Sequence, residues 1–512
     1  MSAVPRPATA TLGGMTTTDR PPSALDPAQV DGLLDMDPEA FRAAAHAVVD
    51  LMADYLATIE DRAVFPNVEP GTIAPQFEAS PPEQGEPLDA ILDDYRRLVE
   101  PNATAWQHPG FMAYFPTTAS GPGILGEMLT AAIAQNPMLW RTSPVGTELE
   151  VVVVDWLRQA LGLPDAFDGL LTDTASTSST IALAAAREAA GIDAAGQGLG
   201  GRGDLPRLRV YASTEAHSSI EKACMTLGLG RASHVAVAAD AEFRMRPDAL
   251  AAAIAADRAA GHLPIAVVAT LGTTSSTSVD PVADIAEIAS RERLWLHVDA
   301  AYGGVAAILP EERPLFGGWE LADSIVVNPH KWLFTPLDAS LFLSRRLDVA
   351  RQAFSLSPEY LRTLDRASPV RDYNEFQPQL GRRFRALKLW MLIRYFGLDG
   401  LRRRLRRHIE LARAFAAQVD GAPEWERLAP VPFATVCFRH VPPPIAGDEA
   451  ALERHNAAVM DAVNRTGDVF LSHTKLNGRF AVRVSVGNIR TEARHVEHAW
   501  ELLQRAAEGV EA

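Results

Sequence analysis

The chain has 512 residues, which exceeds one typical domain and leaves room for two large lobes or one large domain with satellites. A hydrophobic fraction of 47% and a charged fraction of 22% are those of an ordinary globular protein, and they exclude a fibrous, repeat or generally disordered chain. The formal net charge of -16 argues against nucleic acid as a partner, because phosphate backbones are bound by concentrated Lys and Arg, and it favours a small molecule.

The first predicted elements are a tail and a helical segment. Residues 1–26 carry turn formers and few large apolar side chains, which predicts a flexible tail. From Asp37, apolar residues recur at i, i+3, i+4 and i+7 behind an Asp-Pro start, which predicts an amphipathic helix. We therefore expect residues 27–120 to form a helical N-terminal segment.

Between about residues 150 and 345, short apolar runs alternate with helical patterns, which predicts a mainly parallel, doubly wound α/β sheet. The predicted strands are 169–171, 208–211, 265–270, 294–298, 324–327 and 340–343. After about residue 386 a helical stretch, two β-like runs at 433–438 and 480–486 and a last helix at 495–507 predict a smaller α+β domain. We expect a large domain over 121–386 and a small one over 387–512.

Cysteine content and hydropathy bear on the compartment. Cys224 and Cys437 lie far apart without a CxxC pairing, so the sequence predicts neither a metal site nor a redox pair and fits a reducing cytoplasm. The N-terminus lacks a continuous apolar core, and no run of about 18 apolar residues occurs. We expect a cytoplasmic protein without a membrane partner.

Chemically distinctive residues follow five of the predicted strands, where ligands collect in such sheets. They are Thr174 with Ser176, His217, Thr274, Asp299 and Lys331. Pyridoxal 5'-phosphate requires a lysine to bind its aldehyde as an imine and a carboxylate to keep its pyridine nitrogen protonated. Lys331 and Asp299 are the candidates. Each residue alone is ordinary, and the inference depends on their order and context.

The remaining candidates surround the same cofactor. Ala301 follows Asp299 and would pack against one face of the ring, while His217 would stack on the other face and reach the substrate. The phosphate would lie at the start of a helical run, where hydroxyls and free N–H groups stabilise an anion. The expected phosphate contacts are Thr174, Ala175, Ser176, Asn328 and His330.

Several long motifs, taken in their order along the chain, carry a resemblance to a known family. NPHKW at 328–332, HVDAAYGG at 297–304 and TEAHSS at 214–219 resemble the group II pyridoxal phosphate decarboxylases, and among them the aromatic L-amino-acid decarboxylases of the tryptophan and DOPA type. The resemblance runs from about Asp37 to Leu503. It includes VEPG at 68–71, AYFPT at 113–117, SPVGTELE at 143–150, ATLGTT at 269–274, LGRRFRALKLW at 380–390 and HVEHAW at 495–500.

The resemblance implies the pyridoxal phosphate-dependent transferase fold type I, with a mainly parallel seven-stranded sheet. It also implies a homodimer whose N-terminal segments embrace the partner and whose active sites lie at the interface. Lys331 looks like the lysine that binds the cofactor, Asp299 like the partner of the pyridine nitrogen and His217 like the stacking residue. Thr274 and Ala301 look like ring neighbours.

Tyr360, in SPEYL, matches the tyrosine of the family's mobile catalytic loop, which is thought to return a proton to the substrate carbon after carbon dioxide leaves. In relatives that act as oxidative aldehyde synthases, a phenylalanine often stands here or the counterpart of His217 is changed. Tyr360 together with His217 therefore favours simple decarboxylation to an amine and carbon dioxide.

The expected substrate is an aromatic L-amino acid such as tryptophan, 5-hydroxytryptophan, DOPA, phenylalanine or tyrosine. Gly381 matches a position where glycine accompanies bulky aromatic substrates. The expected pocket residues are Trp106, Tyr114, Phe115, Pro116, Thr117, Met138 and Gly381. Asp173 and the segment 136–142 depart from the family pattern, and Arg141 would suit a more polar or acidic substrate. An acidic amino-acid decarboxylase, an aldehyde synthase, a carbon–sulfur lyase and a non-catalytic homologue are the alternatives.

Overall fold

The computed structural model describes residues 35–356 and 371–510. The predicted tail over residues 1–26 lies outside the described residues. The pattern behind Asp37 forms the predicted helix, whose N-cap is the Asp37 carboxylate: it accepts hydrogen bonds from the N–H groups of Glu39 and Ala40 at 3.0 and 3.1 Å. None of the described helices is both long enough and apolar enough to cross a bilayer.

Helices and strands alternate through the first two thirds of the described chain. The helices are α1 (Pro38–Ala57), α2 (Leu88–Asp94), α3 (Gly121–Ile133), α4 (Pro144–Leu161), α5 (Ala175–Ala189), α6 (Ala194–Gln197), α7 (Ser219–Thr226), α8 (Pro247–Ala259), α9 (Val282–Glu292), α10 (Pro329–Trp332), α11 (Leu347–Phe354), α12 (Arg385–Gly421), α13 (Glu449–Thr466) and α14 (Ala493–Gly509). The strands are β1 (Asp168–Thr172), β2 (Leu208–Ser213), β3 (His234–Val237), β4 (Leu263–Thr270), β5 (Trp295–Asp299), β6 (Ser324–Val327), β7 (Ser340–Ser344), β8 (Trp425–Arg427), β9 (Thr435–His440), β10 (Ser472–Leu476) and β11 (Arg479–Ser485).

The predicted mainly parallel sheet is confirmed. Seven strands pair in the order β1-β7-β6-β5-β4-β2-β3, and β7 is antiparallel to both of its neighbours. The other strands are parallel, so their carboxyl ends meet at one edge. Sequence analysis located six of these strands and missed β3, whose four residues are only partly buried and carry a weak apolar signal.

A second sheet lies in the C-terminal part of the chain, with the order β10-β11-β9-β8 and antiparallel pairing throughout. The runs predicted at 433–438 and 480–486 form β9 and β11. The three-residue β8 and the polar β10 were missed because neither has a clear apolar alternation. The predicted domain boundary between residues 386 and 387 falls in the first turn of α12, and the division into domains stays a prediction.

A fully buried ion pair between Glu150 and Arg382 anchors β1, the first strand of the large sheet. The Glu150 carboxylate, on α4, accepts a hydrogen bond from the Leu171 N–H at 2.8 Å and another from the Arg382 guanidinium at 2.6 Å. Arg382 also donates to the carbonyl oxygens of Pro137 and Leu171. Because both charges are buried, these directional bonds are needed to offset the cost of desolvation. They fix the position of β1, which leads into the candidate site.

Candidate active site at the carboxyl edge of the sheet

The candidate residues that follow β1, β2, β4, β5 and β6 lie at the same edge of the sheet because those strands are parallel. β5 ends at Asp299 and its neighbour β6 ends at Val327, four residues before Lys331. The backbone also joins these two strand ends, since the Asn328 N–H donates to the Ala301 carbonyl oxygen at 3.0 Å. The segments that carry Asp299 and Lys331 are therefore held directly side by side.

Lys331 occupies the short helix α10 between two buried neighbours, His330 and Trp332, and is itself half-buried. Its Nζ atom lies 5.1 Å from the centroid of the Phe115 ring. Phe115 stacks on Tyr302 at 3.9 Å between centroids, and Tyr302 stacks in turn on Trp332 at 5.1 Å. An aromatic column thus forms one wall beside the lysine amine.

Charge interactions connect Lys331 with Asp299 and His217. Desolvation lowers the pKa of Lys331, and the Asp299 carboxylate opposes that shift. Desolvation by the surrounding protein also lowers the pKa of His217, again opposed by Asp299, while Lys331 lowers it further. A lysine with a lowered pKa offers more of the neutral amine that attacks an aldehyde. The structure brings the three predicted residues into one electrostatic unit.

A small apolar surface lies beside this unit. Ala175, Ala301 and Val326 form a compact cluster in which Ala175 begins α5 and Ala301 follows β5. Gly303 comes shortly after, and a Cβ there would lie 2.6 Å from the Leu271 carbonyl oxygen, so a larger residue would displace the backbone. Side chains of this size allow a flat ring to approach the backbone closely.

The predicted phosphate end is the N-terminus of α5. Thr174 is its N-cap, although the bond from the Thr177 N–H to the Thr174 hydroxyl is long at 3.4 Å. Ser176, in the first turn, has an exposed side chain. Asp173 accepts the Thr174 N–H at 2.6 Å and contacts the Gln379 amide at 3.3 Å. Asp173 therefore forms hydrogen bonds within its own loop and with the segment before Gly381.

Asn328 and His330 flank the lysine and differ in their hydrogen bonding. The Asn328 Oδ1 atom is buried and has no hydrogen-bond partner among the residues that the structure describes. His330 accepts the Ala339 N–H at its Nδ1 atom at 3.0 Å, and burial lowers its pKa to about 4, so the ring is neutral at pH 7. The orphaned atom of Asn328 is an amide oxygen, an acceptor, so the group that completes its hydrogen bonding must be a donor.

Sequence analysis missed Arg483, which the structure adds to the site. Arg483 lies on β11 with 5% of its surface exposed, 5.2 Å from the centroid of the Phe115 ring, and donates to the Thr274 carbonyl oxygen at 3.1 Å. Its charge contributes to the lowered pKa of Lys331. The signal was an arginine inside the apolar strand pattern RFAVRVS, where a solvated side chain is not expected.

Two of the predicted pocket residues lie in a separate aromatic group. Trp106 and Tyr114 stack at 6.4 Å, and Tyr114 contacts Phe470 at the same distance. Both side chains are partly exposed, Trp106 at 37% and Tyr114 at 53%. Of the residues that follow Tyr114 and Phe115, Pro116 is buried and Thr117 is half-buried. Of the aromatic side chains in this set, Phe115 is the one with a cation–π contact to Lys331 among the described residues.

Met138 and Gly381 form a third group, around Asn136. The Asn136 amide donates to the Met138 sulfur at 3.5 Å, and its oxygen accepts the Arg382 N–H at 2.9 Å. A Cβ on Gly381 would lie 4.0 Å from the Asn136 Nδ2 atom, so the glycine leaves that space open. The contacts of this group run to Arg382 rather than to Phe115. Tyr360 lies outside the described residues.

The donor set fits pyridoxal phosphate. Lys331 offers a desolvated amine, Asp299 a buried carboxylate, and the N-terminus of α5 offers backbone N–H groups that suit an anion. The doubly wound sheet places these groups at its carboxyl edge, where such a ligand binds. Fold and site together define an α/β enzyme of the pyridoxal phosphate-dependent class.

Comparisons with known proteins place the chain within that class. Residues 70–441 match the family described as "Pyridoxal-dependent decarboxylase conserved domain". Tryptophan decarboxylase 2 of Oryza sativa subsp. japonica is 40% identical over 92% of this chain and 95% of its own length. Phenylacetaldehyde synthase of Arabidopsis thaliana is also 40% identical, over 92% of this chain and 96% of its own.

A solved structure agrees with these relatives. The crystal structure of Oryza sativa TDC with PLP and tryptamine superposes with a TM-score of 0.89 at 36% identity, covering 93% of this chain and 99% of that chain. The chain belongs to the family of pyridoxal-dependent decarboxylases. Its cofactor is pyridoxal 5'-phosphate, and the predicted fold type is confirmed.

Replacing Lys331 with Met should abolish covalent attachment of the cofactor, because the side chain keeps its length but loses the amine that binds an aldehyde. Borohydride reduction of the loaded protein followed by intact mass measurement checks this. Lys475→Met, which alters an exposed ion pair with Glu453, is the control and should keep the adduct. An adduct of full yield on the Lys331 variant would contradict the assignment.

Replacing Arg483 with Met should raise the pKa of Lys331, because it removes a neighbouring positive charge that disfavours the protonated amine. The rate of cofactor attachment to the apoprotein depends on neutral Lys331, so its half-maximal pH should move upward, by up to about one unit. Stopped-flow absorbance across pH measures this midpoint. Arg479→Met, on the same strand but paired with Glu426, should leave it unchanged. A downward shift would show that Arg483 does not repel the amine.

Proposed function

We propose that this protein decarboxylates an aromatic L-amino acid, of the tryptophan, 5-hydroxytryptophan, DOPA, phenylalanine or tyrosine type, to the amine and carbon dioxide. The observation that carries the proposal is the electrostatic unit of Lys331, Asp299 and His217 in a chain of this family. Support for the aromatic substrate comes from relatives of about 40% identity that are named for tryptophan and for aromatic L-amino acids.

The proposed roles follow from what each group offers. Lys331 would hold the cofactor through its aldehyde, and its lowered pKa favours the neutral amine that this attachment requires. Asp299 keeps a proton on the pyridine nitrogen, since a buried carboxylate stabilises a nearby positive charge. When bound, the cofactor supplies an electron-withdrawing ring, which accepts the electron pair of the bond between the substrate α-carbon and its carboxylate group.

The other proposed contacts orient the cofactor and deliver protons. His217 would stack on one face of the ring, and Ala301 and Thr274 would lie beside it. Thr174, Ala175, Ser176, Asn328 and His330 hold the phosphate, and the neutral ring of His330 has the Ala339 N–H fixed at one nitrogen. Tyr360 returns a proton to the substrate carbon. A positioned acid of this kind typically contributes about 10²- to 10⁴-fold in rate.

The proposed side-chain pocket combines apolar and aromatic surfaces. Phe115 offers a ring beside Lys331, Trp106 and Tyr114 add partly exposed aromatic surface, and Gly381 leaves space next to Asn136. Flat aromatic side chains pack favourably on such surfaces. Pro116, Thr117 and Met138 complete the predicted lining.

An aromatic aldehyde synthase is the second candidate, because the Arabidopsis phenylacetaldehyde synthase is as similar to this chain as the tryptophan decarboxylase. His217 and Tyr360 favour the decarboxylase. A decarboxylase of a polar or acidic amino acid is a further alternative because Arg141, in the segment 136–142, has an exposed side chain.

Purified protein loaded with pyridoxal phosphate should convert an aromatic L-amino acid to equal amounts of amine and carbon dioxide, with neither aldehyde nor peroxide. Measuring all four products for each amino acid tests this. Asp299→Asn should lower kcat about 10²-fold or more, since it removes a charge that stabilises the transition state. Asp284→Asn, in the first turn of α9, is the control. Turnover of glutamate or aspartate alone would refute the aromatic assignment, and peroxide with aldehyde would favour the synthase.

We also propose a cytoplasmic homodimer in which the N-terminal segment embraces the partner. α3 exposes three large apolar side chains one turn apart: Leu125, Leu129 and Ile133, at 52, 49 and 46%. On α1, Phe41 is 60% exposed and lines one groove with Ala132 of α3. A contiguous apolar surface of this kind is typical of a protein interface. Both cysteines are buried and unpaired, which suits a reducing compartment.

Leu129→Glu should convert the dimer to monomers, because it places a charge in the proposed apolar interface. Multi-angle light scattering should then show half of the wild-type mass, with a loss of activity if the sites lie at the interface. Met225→Glu, a 49% exposed position on α7, is the matched control and should stay dimeric. A Leu129 variant that keeps the wild-type mass and activity would exclude α3 from the interface.

A further inference from the structure

A buried lysine lies beneath the loop that follows Lys331. Lys388, on α12, has none of its surface exposed, and its ammonium group donates hydrogen bonds to the Glu127 carboxylate and to the Pro336 carbonyl oxygen, the latter at 2.9 Å. Glu127 lies on α3 and also pairs with Arg383. One ammonium group therefore joins α3, α12 and the loop of residues 333–339.

The same loop is tied directly to the residue before Lys331. The Ala339 N–H donates to the His330 Nδ1 atom at 3.0 Å, and the His330 N–H donates back to the Ala339 carbonyl oxygen at 3.3 Å. A second ion pair from α12 holds the loop where Arg385 donates to Asp338 at 2.7 Å. A displacement of the loop would thus move His330 and, with it, Lys331.

Glycines on α3 allow this contact to be close. A Cβ on Gly123 would lie 2.5 Å from the Pro336 Cδ atom, and one on Gly126 would lie 2.6 Å from the Lys388 Cα atom. α3 therefore packs directly on the loop and on the backbone of α12. Because these three segments are closely packed, a shift of one of them displaces the other two.

A charge at this position is not explained by packing. Replacing a buried ion pair by apolar side chains of similar volume is often neutral or stabilising, because the charges must be desolvated. Desolvation accordingly lowers the pKa of Lys388, although Glu127 opposes it. An apolar residue would fill the same space, but it could not donate to the Pro336 carbonyl oxygen. The specific contribution of Lys388 is therefore a hydrogen bond that fixes the position of the Pro336 carbonyl oxygen.

We propose that Lys388 is a positioning residue: by holding Pro336 and the loop of residues 333–339, it fixes His330 and Lys331 in the geometry that catalysis requires. The inference rests on the proposed role of Lys331. In this role Lys388 acts without contacting substrate or cofactor. Its effect is transmitted through the backbone of the loop.

The test replaces Lys388 with Met, which keeps the length and removes the charge, in the full-length protein loaded with pyridoxal phosphate. The pH midpoint of the absorbance band of the Lys331-bound cofactor should shift by about half a unit or more, because the lysine environment changes. kcat should fall about tenfold or more with KM changed less than about twofold, as expected for misplaced reacting groups. Lys388→Arg, which keeps a donor, should recover part of both.

Two controls separate positioning from stability. Leu405→Ala, a buried position of α12 beyond the non-helical break at Gly397, should lower the thermal midpoint without moving the absorbance midpoint, and the exposed Lys475→Met should change neither. If Lys388→Met yields no folded protein, Glu127→Gln is judged by the same criteria. An absorbance midpoint that moves no more than in Leu405→Ala would overturn the proposal.

The absorbance midpoint also distinguishes this inference from the proposed function. If no amino acid releases carbon dioxide, the proposed function fails, while a shifted midpoint in Lys388→Met still supports positioning. If the cofactor is attached at a residue other than Lys331, both fail. If turnover is normal and the midpoint is unmoved, only the inference fails.

Discussion

The site depends on the protonation state of the Lys331 amine, which lies in a desolvated environment. Burial disfavours the protonated form of Lys331, the Asp299 carboxylate favours it, and Arg483 disfavours it again. The balance among these three charges sets how much neutral amine is present. Each partner comes from a different part of the chain: β5 ends at Asp299, α10 carries Lys331, and β11 of the small sheet carries Arg483. The two sheets must therefore keep a fixed relation at this point.

The rest of the fold holds these charged groups in fixed positions relative to one another. Parallel strands bring Asp299 and the start of the Lys331 segment to one edge, and the aromatic column of Phe115, Tyr302 and Trp332 forms the adjacent wall. Beneath the loop after Lys331, the ammonium of Lys388 holds a carbonyl oxygen in place. Buried polar groups occur where the orientation of a neighbouring group must be fixed, because hydrogen bonds fix orientation as well as distance.

Much of the large sheet was predictable because most of its strands are apolar and separated by turn residues. The predicted runs at 265–270 and 324–327 match β4 and β6 within two residues. β3, β8 and β10 were missed because short or partly exposed strands lack the apolar pattern on which such predictions rest. In the polar segment SSTS at 275–278, Ser276 and Ser278 are buried and hydrogen-bonded to each other, which the polarity of the sequence does not indicate.

The sequence by itself determined the class of enzyme, that of the pyridoxal-dependent decarboxylases. Lys331, Asp299 and His217 were recognisable because a parallel sheet makes the residues after its strands neighbours, and because their types match the needs of one cofactor. The tertiary structure alone decided which distant charges act on them. Arg483 is about 150 residues from Lys331 in the chain, and Lys388 reaches the loop of residues 333–339 only because α3 and α12 pack closely. Local patterns carry no information on such contacts, since the pKa of a buried group depends on every charge that folding brings near it.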